Sequence, residues 1–231
     1  MVDAEAGSLL FVMLALRQYM SRNPERDAER VAQTRQKIVE TGFRVFAERT
    51  IDASNLIDVA KAAGVAMPTV YRYFNSKKAL VMEVGTWVWK QYTETYYRSD
   101  EVLGRTAAEG YAHFLDSFID LYHNHRDILR FNQFFNIYVQ RADIPADTMR
   151  PYNDVIARLA QRFHALYERA KVDGTLRTDI PEEEIFSSTL HLMLAVVTRY
   201  AVGLVYDSGI DPEEELKFQR DMLIRAYRVN P

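Results

Sequence analysis

Apolar residues recur along most of this chain at the three- and four-residue spacing of an α-helix, and no stretch alternates as a half-buried strand would, so the pattern predicts an all-α fold. The first strong helix runs from about Ala28 to Glu48, with Ile38, Gly42, Val45 and Phe46 on one face. A polar turn from Asp52 to Asn55 follows, and Ser54 or Asn55 can cap a short helix whose inward face is Leu56, Val59, Ala60 and Ala63. Gly64 can end that helix in the left-handed conformation, and Pro68 sits in the first turn of another short helix with Val70 and Phe74 turned inward. Two short helices joined this tightly read as a helix-turn-helix. Ser76 caps a long helix through Arg98, Gly104-Arg105 opens one to about Asn124, and a further one spans Arg126 to Arg141. Pro145 and Pro151 punctuate the next start, after which Val155, Leu159, Phe163 and Leu166 form a stripe ending near Asp173-Gly174. Pro181 and Glu182 to Glu184 start a helix that Asp207-Ser208-Gly209 stops, and Asp211-Pro212 starts the last.

The inward positions of the second short helix leave Met67, Thr69, Arg72 and Tyr73 facing outward, with groups suited to phosphate oxygens and base edges in a major groove. Gly64-Val65, Thr69-Val70-Tyr71-Arg72-Tyr73-Phe74 and Ser76-Lys77-Lys78-Ala79-Leu80 together resemble the DNA-binding signature of the TetR family of transcriptional repressors, over roughly residues 31–82. The resemblance implies an N-terminal three-helix DNA-binding domain and a larger helical domain for ligand binding and dimerisation. Residues 28–76 are expected to form the first and 77–231 the second, with 1–27 as an N-terminal extension.

The resemblance also assigns phosphate contacts to Asn55, Thr69, Tyr71, Tyr73 and Lys77. Base reading falls to Met67, Thr69 and Arg72, whose guanidinium can pair bidentately with guanine. Tyr71 could instead simply pack between helices. Two residues depart from the family pattern: Ile57 stands where a polar base-contacting residue is usual, and Ala66 replaces the usual serine cap.

Charge is distributed in keeping with that division. The net charge of −3 combines −1 over residues 1–20, +4 over residues 21–78 and −6 over residues 79–231, so a basic reader precedes an acidic body. The absence of cysteine excludes thiol catalysis and cysteine-based zinc sites and suits a reducing cytoplasm. The apolar run Ser8 to Leu16 is too short to span a bilayer and lacks the basic flank of a signal peptide. It reads as an extra amphipathic helix, or as a stretch upstream of a natural start at Met20; no membrane partner is expected.

In the body, Phe131 to Gln140 carries no charge, and Asn132, Asn136 and Gln140 recur on one helical face. That stripe belongs either to a satisfied core or to a pocket for an unidentified small-molecule effector, lined by Trp87, Phe131, Asn132, Phe135, Asn136 and Tyr138. The span Ile185 to Thr198 is uncharged if His191 is neutral, which calls for cover on most sides. The last two helices are expected to pair with those of a second copy, as they do in the family, with Met193, Val196, Val197, Tyr200 and Leu204 at the homodimer interface.

Catalysis finds little support. The five histidines form no compact metal motif, Glu182 to Glu184 complement a helix dipole, and neither a phosphate loop nor a nucleophile elbow occurs. No catalytic residue, metal or cofactor is therefore expected. The sequence predicts a homodimeric, ligand-responsive regulator, most simply a repressor, on a near-palindromic operator in double-stranded DNA. The rivals are a helical metabolite-binding or adaptor protein with a decayed DNA motif, and an all-α enzyme.

Overall fold

Nine helices make up the described part of a computed structural model, which covers residues 24–97, 106–204 and 209–229. The apolar run from Ser8, the expected helix end at Arg98, Gly104-Arg105 and Asp207 lie outside the described residues. Helix α1 (Pro24–Arg49) starts four residues ahead of Ala28, with acidic Glu25 and Asp27 in its first turn. Helix α2 (Leu56–Ala63) begins at Asn55, whose side-chain oxygen accepts the Asp58 N–H while the Asp58 carboxylate accepts the Asn55 N–H. Ser54, the alternative cap, is buried and donates to the Thr50 carbonyl instead. Gly64 closes α2 at φ 63°, a conformation that costs glycine nothing.

Helix α3 (Met67–Tyr73) starts at Ala66 without a side-chain cap, and Pro68 lies in its first turn. Ser76 caps α4 (Lys77–Tyr96) by accepting the Ala79 N–H. Helix α5 (Ala107–Asn124) opens on a capping box between Thr106 and Glu109, and α6 (Arg126–Arg141) has its expected limits. Helix α7 (Ala146–Asp173) follows Pro145 and tolerates Pro151 in its second turn. Helix α8 (Glu182–Val202) ends at Gly203, at φ 75°, short of the expected stop at Asp207 to Gly209. Asp211 caps α9 (Pro212–Tyr227), and one antiparallel bridge from Leu176 to Arg228 ties the end of α9 to the segment after α7.

Helix α1 lies against α2, α4 and α6, so the three-helix head and the body share one continuous apolar core. Ile38, Val45 and Phe46 point into it from α1, and Val70 and Phe74 from the helix-turn-helix. At the crossing of α4 and α6, a Cβ on Gly85 would stand 2.7 Å from the Phe135 ring, which is itself buried. Two helices approach there only because the side chain is absent. Gly85→Val is therefore expected to lower stability by about 1–3 kcal/mol, the usual cost of overpacking a tight core, read as a reduced midpoint in urea.

Candidate nucleic-acid interface and ligand cavity

The helix-turn-helix presents its polar residues unevenly. Tyr71 is 56% exposed, which removes the reading of it as packing between helices, and Arg72 is exposed beside it. Tyr73 is half-buried against the core, and the Arg72 guanidinium lies 4.9 Å from its ring centre while Nη2 donates to the Tyr73 hydroxyl at 2.9 Å. Thr69 is half-buried and Asn55 exposed. Met67 does not stand free on the surface: as the first residue of α3 it packs half-buried against the core. Ile57 is 62% exposed on α2, an apolar side chain on the outside of the head.

Lys77 and Lys78 differ in surroundings although they adjoin. The Lys77 ammonium sits 5.7 Å from the Tyr138 ring centre, and burial pushes its pKa down, opposed by the charges of Asp52 and Asp58. Lys78 donates to the Asp143 carbonyl at 2.5 Å, just beyond the end of α6. Arg141, the last residue of α6, lies 3.8 Å from Asp52 in the turn before α2. The C-terminal end of α6 and the residues just beyond it thus touch the first turn of α4 twice and the turn before α2 once.

Of the residues expected to line a ligand pocket, the structure gathers only Asn132 and Asn136. Both border a partly open cavity of about 430 Å³ lined by residues of α4 to α8. Its walls include Trp89, Tyr92, Tyr97, Phe114, Phe118, Tyr152, Asn153, Ile156, Leu190 and Leu194, and its lining carries no charged side chain among the described residues. Asn132 is buried and its Oδ1 accepts the Trp89 Nε1–H at 3.3 Å; Asn136 and Gln140 are exposed, so the expected polar stripe is not buried along its length. Tyr92 crosses the cavity wall to donate to the Ser117 carbonyl at 2.6 Å, and burial beside the Asp120 carboxylate pushes its pKa far up, keeping the phenol neutral.

The other four expected pocket residues face elsewhere. Phe131 and Phe135 are core side chains, packed on Phe43 of α1 and Tyr152 of α7 respectively, where α6 meets α1 and α4. Tyr138 sits under Lys77 at the head, and Trp87 borders a different cavity, near α1. The aromatic and asparagine walls from α4, α5, α7 and α8 were missed, since residues so far apart in sequence signal their meeting only through the fold.

The expected interface residues on α8 also divide. Met193 and Val197 are 0% exposed within one chain and have no surface to offer a second copy. They belong to an inward stripe with Ile185, Thr189 and Ala201, spaced four residues apart. Val196 and Tyr200 are half-buried, with the Tyr200 hydroxyl donating to Glu215 on α9, and Leu204 is exposed. The last two helices also expose Leu192 on α8, 44% exposed, and Phe218 and Met222 one turn apart on α9, 60% and 46% exposed.

Comparison with known proteins agrees with this geometry. The model of bacterial regulatory proteins of the tetR family matches residues 38–84, the end of α1 through the first turns of α4. The HTH-type transcriptional regulator AcrR of Shigella flexneri is 32% identical over 65 residues, 28% of this chain and 29% of that protein. The uncharacterized HTH-type transcriptional regulator YvdT of Bacillus subtilis is 31% identical over 99 residues, 41% of this chain and 48% of that protein. The chain thus matches less than half the length of either of these curated relatives.

Among solved structures, a Saccharomonospora viridis protein in complex with choline superposes with a TM-score of 0.71 at 17% identity, over 86% of this chain and 100% of that one. The transcriptional regulator FadR of Bacillus subtilis in complex with stearoyl-CoA gives 0.63 at 18% identity, over 82% and 97%. At such identities the likeness speaks for the fold, an N-terminal DNA-binding head on a helical body. The head of the chain thus carries the DNA-binding region of the tetR family of bacterial regulatory proteins, on a helical body that shares its fold with solved transcriptional regulators.

Proposed function

We propose that the protein is a homodimeric repressor that reads a near-palindromic operator through α3 and releases it when a small molecule enters the cavity between α4 and α8. The observation that carries this reading is the reach of α6. Its buried Asn132 borders the cavity, and its far end meets the head at Asp52 through Arg141 and the first turn of α4, which leaves the head, through Tyr138 and the adjoining Asp143. A ligand that fits one position of α6 better than another would favour one placement of the two recognition helices.

The cavity also indicates what the effector is. A lining of aromatic and aliphatic side chains with asparagine amides, and no charged group to neutralise an ion, suits an uncharged, mostly apolar molecule bearing one or two hydroxyl or carbonyl groups. The ligands of the Saccharomonospora and Bacillus proteins support small-molecule binding on this fold.

For the DNA side, Tyr71, Thr69, Asn55 and Lys77 would hold phosphates and Arg72 would read a base. Exposed Ile57 adds an apolar contact suited to a thymine methyl. For the dimer, α8 has a mean hydropathy of 1.4 over its best 18-residue window, of which only 33% is buried in one chain. Its packing on α5, α6 and α9 makes it a core helix, and a second copy would cover the Leu192, Phe218 and Met222 face. Such a protein acts in the cytoplasm, on the chromosome.

Fluorescence anisotropy with DNA from upstream of the protein's own gene tests the reading. The expected result is binding at least about a thousandfold tighter than to random duplex at the same salt. Filling the cavity with Leu190→Trp should leave that affinity intact and abolish release by neutral apolar compounds that act on wild type. Equal affinity for random duplex would end the proposal.

A further inference from the structure

A second cavity, of about 530 Å³, lies on the other side of Tyr92, where α1 and α4 meet the corner between α5 and α6. Its chemistry is opposite to that of the neutral cavity. Phe43 from α1 and Trp87, Tyr92 and Tyr96 from α4 supply aromatic walls, and Asp120 and Asp127 supply carboxylates at the α5–α6 corner. No lysine or arginine lines it among the described residues. We propose that this cavity is a binding site for a small organic cation, such as a quaternary or protonated amine.

The aromatic rings attract a cation through the negative potential of their faces, as ligands bearing quaternary ammonium groups are generally recognised. Asp120 is fixed where it can add its charge to theirs, since its carboxylate accepts the Tyr92 hydroxyl at 3.1 Å and the Asn124 amide at 2.7 Å. The start of α6 would otherwise direct a positive dipole end at the corner, but Asp127 accepts the Ile128 N–H at 2.9 Å and reverses the local sign. Arg126 beside it turns away, its guanidinium 4.2 Å from the Tyr122 ring centre and its Nε donating to the Tyr122 carbonyl. The remaining ionisable neighbour is His125, with Nε2 3.7 Å from Asp120. With that imidazole neutral the lining carries two negative charges and no positive one.

An occupant would touch both the reading head, through Phe43, and the body, through Trp87 and Tyr92. This inference stands apart from the operator and from the neutral effector, since it rests on the cavity's own walls. Titration calorimetry with phenyltrimethylammonium and with its neutral carbon isostere, tert-butylbenzene, tests it on the full chain. One cation per chain is expected, bound at least about tenfold more tightly than the isostere. Asp120→Asn combined with Asp127→Asn should weaken the cation at least tenfold, and Leu190→Trp in the neutral cavity should leave it unchanged. Thr95→Lys, an exposed helical substitution on the lining, should abolish binding by charge alone; it decides the matter if the double asparagine variant does not fold. Equal binding of the isostere, absence of binding, or loss in Leu190→Trp with the asparagine variant unaffected would each overturn the proposal.

Discussion

Replacing Leu192 and Phe218 together with glutamate is expected to yield a folded monomer, whereas Val197→Glu alone is expected to abolish cooperative folding. All three residues sit on the last two helices. Leu192 and Phe218 are exposed in a single chain, so their carboxylates remain hydrated in the monomer. In a two-fold dimer each patch meets its own copy, so the glutamates would crowd like charges into an apolar contact. Val197 is wholly buried, and a carboxylate there loses its hydration without gaining a partner. That penalty is several kcal/mol, against a total stability of about 5–15 kcal/mol for a typical domain. Sedimentation velocity and far-ultraviolet circular dichroism distinguish the outcomes. An unchanged dimer in the double variant would place the interface on another face.

The contrast shows how far the pattern of residues could be read. A helix with a polar side declares its buried face, and α2 does so: Leu56, Val59, Ala60 and Ala63 are buried as their spacing requires. The same holds for its signals of start and stop, Asn55 and Gly64, which act through local hydrogen bonds and backbone conformation. Between Ile185 and Thr198 there is no charged side to orient α8, so periodicity alone could not separate the stripe through Met193 and Val197 from the face carrying Leu192. Helix α6 poses the same ambiguity. Phe131 and Phe135 are by type as suited to a ligand as Asn132, and only the meeting of α6 with α1 and α4 assigns them to the core. The cavity itself is assembled from five helices, and its walls at Trp89, Phe114, Tyr152 and Leu190 are ordinary core residue types at helical spacing. Nothing local marks such residues as lining an empty space.

On the DNA side, Arg72→Ala is expected to relax the preference at one base pair in each half-site, at a cost of about 1–3 kcal/mol if the guanidinium is bidentate to guanine. In the free protein that guanidinium already rests on Tyr73, near the end of α3 and exposed to solvent. Tyr73 limits its freedom before binding, which lessens the ordering that recognition would demand. Tyr73→Phe removes the hydroxyl that Arg72 donates to and keeps the ring, so it should loosen selectivity less than Arg72→Ala does. Lys77→Ala should act differently. An ammonium that neutralises one phosphate contributes about 0.9 to the slope of log affinity against log salt, without regard to sequence. Because Lys77 is half-buried against Tyr138, its contribution requires the side chain to leave that ring for the phosphate. A slope unchanged in Lys77→Ala would mean that it stays on Tyr138 and joins α4 to α6 without touching DNA. Selection from duplexes with randomised half-sites, together with anisotropy titrations at several salt concentrations, measures both effects. If Arg72→Ala kept the wild-type preference at every position, base reading would have to pass to other residues that α2 and α3 leave at least partly accessible on the head, Ile57, Lys61, Met67, Thr69 and Tyr71 among them.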